Sequence, residues 1–234
     1  MKNFPIPLKS IWFYCPILLL ALCAIQGGSH AVTVLSQRVI PARGPCIIVD
    51  AGHGGEDGGA TSCNGILESQ LNLEISLKLN DLLQFMGYNT KMVRTTDTAV
   101  HTEGETIAAR KRSDLNNRVK LVNGTKNSLL ISIHQNTFPE GKYSGIQVFY
   151  AKGSDQMAKS FQTALNHALC PTSNRQAKSA KGVFLMEHIC TPGLLIECGF
   201  LSNPQEEAKL RTASYQQKIC CVIVSALGEY FSNT

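Results

Sequence analysis

The sequence predicts a single α/β domain: a twisted, mostly parallel sheet of about six strands with helices on both faces. Two observations predict it. Strand-like and helix-like segments alternate from residue 46 to the end of the chain. Several of the strand-like runs, such as Leu129-Leu-Ile-Ser-Ile133, are apolar almost throughout, the pattern of strands covered on both sides.

The first strand is the run Ile47-Ile-Val-Asp-Ala51, which ends in a turn with glycines at 52, 54, 55, 58 and 59. Leu71, Ile75, Leu79, Leu82, Leu83 and Met86 recur at three- and four-residue steps, which predicts a helix over 67–86 stopped by Gly87. A strand is expected over 88–94. A polar helix over 109–122 has a thinner apolar face through Leu115, Val119 and Val122, and Asn123-Gly124 ends it. Next come strands over 128–134 and 145–151 and a helix over 155–169. A short strand is expected at 183–186, an apolar one at 194–198, a short helix at 204–210 and a closing helix at 215–231.

The first thirty residues differ from the rest. Lys2 and Lys9 precede an uncharged stretch from 11 to 25, and Ser29-His-Ala31 puts small residues where a signal peptidase reads. Residues 1–31 are therefore expected to be a signal peptide or N-terminal anchor that meets the membrane at least during export. The stretch is shorter than the roughly 20 residues of a comfortable membrane helix, which favours cleavage. The remaining chain, about 200 residues, is enough for one domain with a full core. It is expected to be exported and to act outside the cytoplasm.

With 44% apolar and 17% charged residues the chain is neither disordered nor fibrous. A formal charge of +5 includes the leader's lysines, so nucleic acid is not expected as a partner. The pair Gly52-x-Gly54 is followed by Asp57 where a dinucleotide fingerprint needs glycine, which argues against a nucleotide site. Of nine cysteines, Cys15 and Cys23 fall in the leader. The remainder is odd in number, lacks a C-x-x-C pair, and places Cys46, Cys198 and Cys220 inside apolar runs. These read as buried free thiols rather than disulfides or a structural zinc cluster.

Three strand ends carry groups able to bind a metal or move protons: His53, His134 and Glu197. Glu68 stands where the first helix begins. In an open α/β sheet such strand ends share one edge, so residues far apart in sequence converge. Two imidazoles and a carboxylate are a common three-ligand set for catalytic zinc, and a further carboxylate can take a proton from water. Spacing alone does not prove the arrangement, since no H-E-x-x-H run places two ligands on one helical turn. Each residue taken singly also has an ordinary structural reading.

Four segments together are specific: Ile48-Val-Asp-Ala-Gly-His-Gly-Gly-Glu-Asp-Gly-Gly-Ala60, Leu67-Glu68 before a helix, Ile131-Ser-Ile-His-Gln-Asn136, and Leu195-Ile-Glu-Cys-Gly-Phe-Leu-Ser-Asn-Pro204. In these segments the chain resembles the zinc-dependent N-acetylmuramoyl-L-alanine amidases of bacterial cell walls, the amidase-3 family, over 46–230. The resemblance implies a catalytic domain over 45–232 in which His53, Glu68 and His134 hold Zn2+ and Glu197 is the catalytic carboxylate. It implies hydrolysis of the amide between the lactyl group of N-acetylmuramic acid and L-alanine, with peptidoglycan glycan strands and their stem peptides as substrate. Glu56 and Glu74 are the other acids near the first two ligands. Glu74 is read as solvated or supporting, and His101, His167 and His188 match no family motif.

No helical plug fits between His134 and the next strand, so no internal autoinhibitory helix is expected. The compact form, with Asn116-Asn-Arg-Val-Lys-Leu-Val-Asn123 and the run after His134, looks like the sporulation and germination amidases, which work with a deacetylase to form muramic-δ-lactam in spore cortex. With no appended wall-binding module, an activating or targeting protein partner is one route to localisation. Two other readings stay open at this point: a catalytically inactive wall-binding protein on the same fold, and a zinc peptidase or deacetylase acting on another peptidoglycan bond.

Overall fold

The computed structural model describes residues 44–232; the leader expected over 1–31 lies outside the described residues. In chain order the elements are β1 (Cys46–Ala51), α1 (Glu68–Phe85), β2 (Thr90–Met92), α2 (Ile107–Asn123), β3 (Ser128–Asn136), β4 (Gln147–Tyr150), α3 (Asp155–Leu169), β5 (Lys178–Ser179), α4 (Phe184–His188), β6 (Gly193–Phe200), α5 (Pro204–Leu210) and α6 (Ala213–Ser232). The six strands form one sheet in the order β2-β1-β3-β6-β4-β5. Neighbours are parallel except β4, which runs antiparallel to β6. Among the described residues no helix is long and apolar enough to cross a membrane.

Alternation along the strands explains both faces. Leu129, Ile131 and Ile133 of β3 and Leu194 and Ile196 of β6 pack with α1, α3 and α6 in one core. Their neighbours Leu130 and Leu195 turn to the other side, against Val122 of α2 and Leu185 and Met186 of α4. Each such fully buried aliphatic side chain contributes roughly 1.5–3 kcal/mol of transfer free energy, so the two cores fix the sheet between its helices. From β1 the chain goes to β2 on one side through α1 and returns through α2 to β3 on the other. That reversal leaves a crevice beyond the carboxyl ends of β1 and β3.

Several boundaries shift for identifiable reasons. Helix α2 starts two residues before the expected 109 because Thr106 caps it, its side chain accepting from Ala109 N. Strand β3 runs past His134 to Asn136 because β6 continues to pair with it there. β2 is shorter than the expected 88–94 and lies at the edge of the sheet. The strand expected at 183–186 is helix α4 instead. Its Phe184 stacks on His188 one helical turn later with ring centroids 4.0 Å apart, and His188 Nδ1 donates to Phe184 O at 2.8 Å. A run of four apolar residues does not distinguish a strand from a buried helical turn. The strand of this region is the two-residue β5, too short to leave a periodic trace. Among the described residues β3 connects to β4 without an intervening helix.

A buried polar column interrupts the second core beneath the crevice. Asp50 of β1 and Ser132 of β3 replace apolar residues there, with Ser132 Oγ donating to Asp50 Oδ2 at 2.6 Å. Arg118 of α2 donates to the other Asp50 oxygen and, through Nε at 2.6 Å, to Asp114. Burial opposes ionisation of Asp50, but Arg118, Ser132 and His134 together outweigh it and hold the carboxyl below its ordinary range. Arg118→Leu leaves Asp50 buried without its counter-ion, and the expected loss is about 3–5 kcal/mol in urea denaturation. A loss below about 1 kcal/mol, the scale of an exposed pair, contradicts the role given to this column.

Candidate metal centre and active site

The glycine-rich turn after β1 holds His53 in the left-handed region, at φ 59°. Few residues with side chains adopt that conformation, though histidine, asparagine and aspartate are enriched in it. Hydrogen bonds from neighbouring elements hold it there. Arg118 Nη2 donates to His53 O at 2.7 Å, and Arg118 Nη1 to Ala51 O at 3.0 Å. The imidazole is held at both nitrogens: Nδ1 lies 2.9 Å from Asp57 Oδ2 and Nε2 lies 3.4 Å from Glu68 Oε2.

Glu68 opens α1, and the turn supplies what the helix end lacks. Leu67 at the N-cap makes no side-chain capping bond. The free backbone N–H groups of Glu68 and Ser69 donate instead to Ala60 O and Gly58 O, at 2.8 and 3.0 Å. In return, Ala60 N donates to Glu68 Oε2 at 2.9 Å, while Gln135 N and Asn72 Nδ2 donate to Oε1 at 3.1 and 3.2 Å. His134 Nδ1 completes the set, 3.0 Å from Oε1. Burial disfavours the charged carboxyl, yet hydrogen bonding from His134 and His53 holds Glu68 far below the usual carboxylate range.

His134 and Glu197 are direct partners across β3 and β6, so both side chains stand on one face of adjacent strands. Glu197 Oε2 is buried without a hydrogen-bond partner. Burial pushes Glu197 up to about 7; His134 opposes that shift and Glu68 adds to it. One ligand atom from each of His53, Glu68 and His134 lies within 4.8 Å of the other two, and the two imidazole centroids are 5.1 Å apart.

Two glycines make room for this convergence. A Cβ at Gly52 would stand 2.2 Å from the His134 ring, and one at Gly59 would stand 2.7 Å from both Glu68 Oε2 and His53 Cδ2. Two imidazoles, a carboxylate and a nearby carboxylate with an unsatisfied buried oxygen suit a three-coordinate protein site for zinc with a position left for substrate. The structure thus brings together all four residues singled out in the sequence.

Glu56, Glu74, His101, His167 and His188 stand apart from this group. Glu56 pairs with Arg110 at 2.7 Å on the rim. Glu74 accepts from Gln216 Nε2 at 2.7 Å, against α6. His101 lines a cavity of about 120 Å³ beside His53, together with Ala99, Ile107, Arg110 and Lys111, while His167 and His188 are exposed. Cys198 and Cys220 are buried, Cys46 is half-buried, and Cys63, Cys190 and Cys221 are exposed.

Sequence reasoning missed the supporting polar residues Asp57, Asn72, Arg94, Arg118 and Gln135. Two signals were available: Asp50 and Ser132 as polar residues inside apolar strands, and the four-residue step from Asp114 to Arg118.

A family model described as N-acetylmuramoyl-L-alanine amidase matches residues 47–229. The chain is 40% identical to the germination-specific N-acetylmuramoyl-L-alanine amidase of Bacillus subtilis (strain 168), with 82% of each protein covered. Among solved structures it matches the CwlD amidase from Clostridioides difficile in complex with the GerS lipoprotein. That match has a TM-score of 0.78 and 34% identity, over 81% of this chain and 100% of that one. An N-acetylmuramoyl-L-alanine amidase from Clostridium difficile 630 matches with a TM-score of 0.69 and 28% identity, over 82% of this chain and 98% of that one.

The charges at the centre give opposite pH dependences for folding and for metal binding. Burial works against a charged His53, but Glu68 and Asp57 outweigh it and raise its pKa above 6.5. In metal-free protein the stabilisation from charged His53 is therefore complete below pH 6.5 and is lost as pH rises through the raised value. Glu68 is depressed, so its share is present above 4.5 and is lost only as pH falls well below that. In chelator-treated samples, the gap in urea midpoint between wild type and His53→Gln is expected to be widest between pH 4.5 and 6.5 and to narrow above. Affinity for a metal ion at these imidazoles is expected to rise over the same upward interval, because protons compete for them. A gap that widens with rising pH contradicts this assignment.

Proposed function

The chain belongs to the N-acetylmuramoyl-L-alanine amidase family, and from that premise we propose that it is a zinc enzyme whose centre is His53, Glu68 and His134, with Glu197 as the catalytic carboxylate. The observation that carries the proposal is the meeting of three ligand atoms within 4.8 Å, beside a buried carboxylate oxygen that has no partner. The bond cleaved is the amide between the lactyl group of N-acetylmuramic acid and the L-alanine of the stem peptide. Residues 45–232 form the catalytic domain in this reading, and 1–31 a leader that directs it out of the cytoplasm.

Zinc bound there supplies Lewis acidity that polarises the scissile carbonyl and brings the pKa of water toward about 7, from 15.7 in bulk. Glu197 takes the proton of the attacking water and returns it to the departing amine. In the metal-free protein burial raises its pKa to about 7, and a nearby divalent cation favours the carboxylate form that accepts the proton. Asp57 at Nδ1 of His53 leaves Nε2 for the metal, a hydrogen bond that fixes ring orientation and ligand basicity. Glu68, tied to two backbone N–H groups and Asn72, stays ionised.

The likeness to a germination-specific amidase and to a CwlD amidase bound to a lipoprotein supports a finer reading. We infer a role in spore-cortex peptidoglycan, with muramic-δ-lactam as the eventual product, and a protein partner at the site of action.

Glu197→Gln is expected to retain zinc and lose turnover by at least ~10². Wild-type rates in that variant remove Glu197 from its role. Chelation is expected to abolish release of stem peptide from purified peptidoglycan, and added zinc to restore it. Mass spectrometry of the products is expected to show intact muramic acid and a new L-alanine amine. Cleavage of another bond marks a peptidase or deacetylase instead, and zinc uptake without cleavage marks an inactive wall-binding protein.

A further inference from the structure

Arg94, just past the end of β2, is buried, and its guanidinium reaches two segments that are not adjacent in sequence. Nε donates to Ala51 O at 2.9 Å and Nη2 to Gly52 O at 3.0 Å, on the turn that carries His53. The same Nη2 donates to Ser69 O at 2.9 Å, in the first turn of α1, the residue after Glu68. Nη1 donates to Thr96 O at 3.0 Å, which anchors the side chain to its own loop. Gly54, at φ 134°, leaves the space this needs, since a Cβ there would lie 2.9 Å from Arg94 Nε.

We propose that Arg94 is a positioning residue that sets the spacing between His53 and Glu68, and is thereby a determinant of metal affinity although it touches neither ligand side chain. The inference rests on the three-ligand reading above. A planar fork with five fixed N–H groups can hold carbonyls of two segments at once. A lysine ammonium is a single point on a flexible stem and cannot hold them in a fixed relative geometry. Arg118 also holds this turn, at Ala51 O and His53 O, but its hydrogen bonds go to Asp50, Ala51, His53 and Asp114 and not to α1. Arg94 therefore joins the two ligand-bearing segments, and Arg118 does not.

The test is a double-mutant cycle on zinc affinity, measured by competition with a chromophoric chelator in the purified protein. Arg94→Lys is expected to weaken zinc binding ~10- to 100-fold, the range for groups that orient ligands from outside. In a Glu68→Ala background the same change is expected to cost less than about 2-fold, because α1, the segment that Arg94 ties to the turn, then carries no ligand. His53→Ala provides a second background with the same expectation. Cobalt-substituted Arg94→Lys is expected to show an altered d–d absorption band, and Leu83→Ala, a destabilised core control remote from the site, an unaltered one. Equal losses from Arg94→Lys in all backgrounds, or a zinc loss in Leu83→Ala as large as that in Arg94→Lys, overturn the proposal. Failure of wild type to take up zinc overturns the metal reading itself and this inference with it, whereas zinc uptake with a flat cycle overturns only the role of Arg94.

Discussion

A buried carboxylate organises this end of the molecule. Glu68 is almost inaccessible, yet it faces two imidazoles and accepts hydrogen bonds from Ala60 N, Gln135 N and Asn72. An ionised group taken out of water is tolerated only when its lone pairs are met by donors or cations. Those partners come from the turn after β1, from β3 and from α1, so the need to satisfy one side chain draws three elements to a common point. The exchange between loop and helix works in the same direction, since the carbonyls of Gly58 and Ala60 complete the helix end that holds Glu68.

Below that point the sheet departs from the usual apolar filling. Asp50, Ser132 and Arg118 form a polar column where branched aliphatic residues would otherwise sit. Buried ion pairs seldom add net stability relative to well-packed apolar residues. Their value here is directional: the Arg118 fork that neutralises Asp50 also holds the carbonyls of Ala51 and His53. An aliphatic core would fill the same volume without fixing the backbone above it. The second core is accordingly the smaller one, and the first, with α1, α3 and α6, carries more of the burial.

Much of this is legible in the sequence. The long periodic helices and the apolar strands can be read there because their patterns extend over many residues, as in 155–169, where α3 has the expected bounds. His53, His134 and Glu197 are legible because each stands at or near the end of a strongly patterned strand, and Glu68 because the family resemblance marks the start of the helix it opens. Failures have a common cause. β5 and α4 are too short for a period to accumulate, so local contacts such as Phe184 on His188 decide their form. Arg94 and Arg118 escape notice because a lone arginine in a sequence reads as solvent-facing. Only the fold shows that backbone carbonyls from distant segments surround each one.

The left-handed backbone at His53 has an evolutionary consequence. The residues that enter this conformation at modest cost are glycine, asparagine, aspartate and histidine. Of these, only histidine and aspartate are customary zinc donors. Cysteine or glutamate, although chemically competent, would bring backbone strain to the position. For the proposed metal centre, the turn thereby restricts the single substitutions through which a descendant of this chain could change ion, and drift at this position leads more readily to an aspartate centre or to a silent scaffold than to a thiolate one.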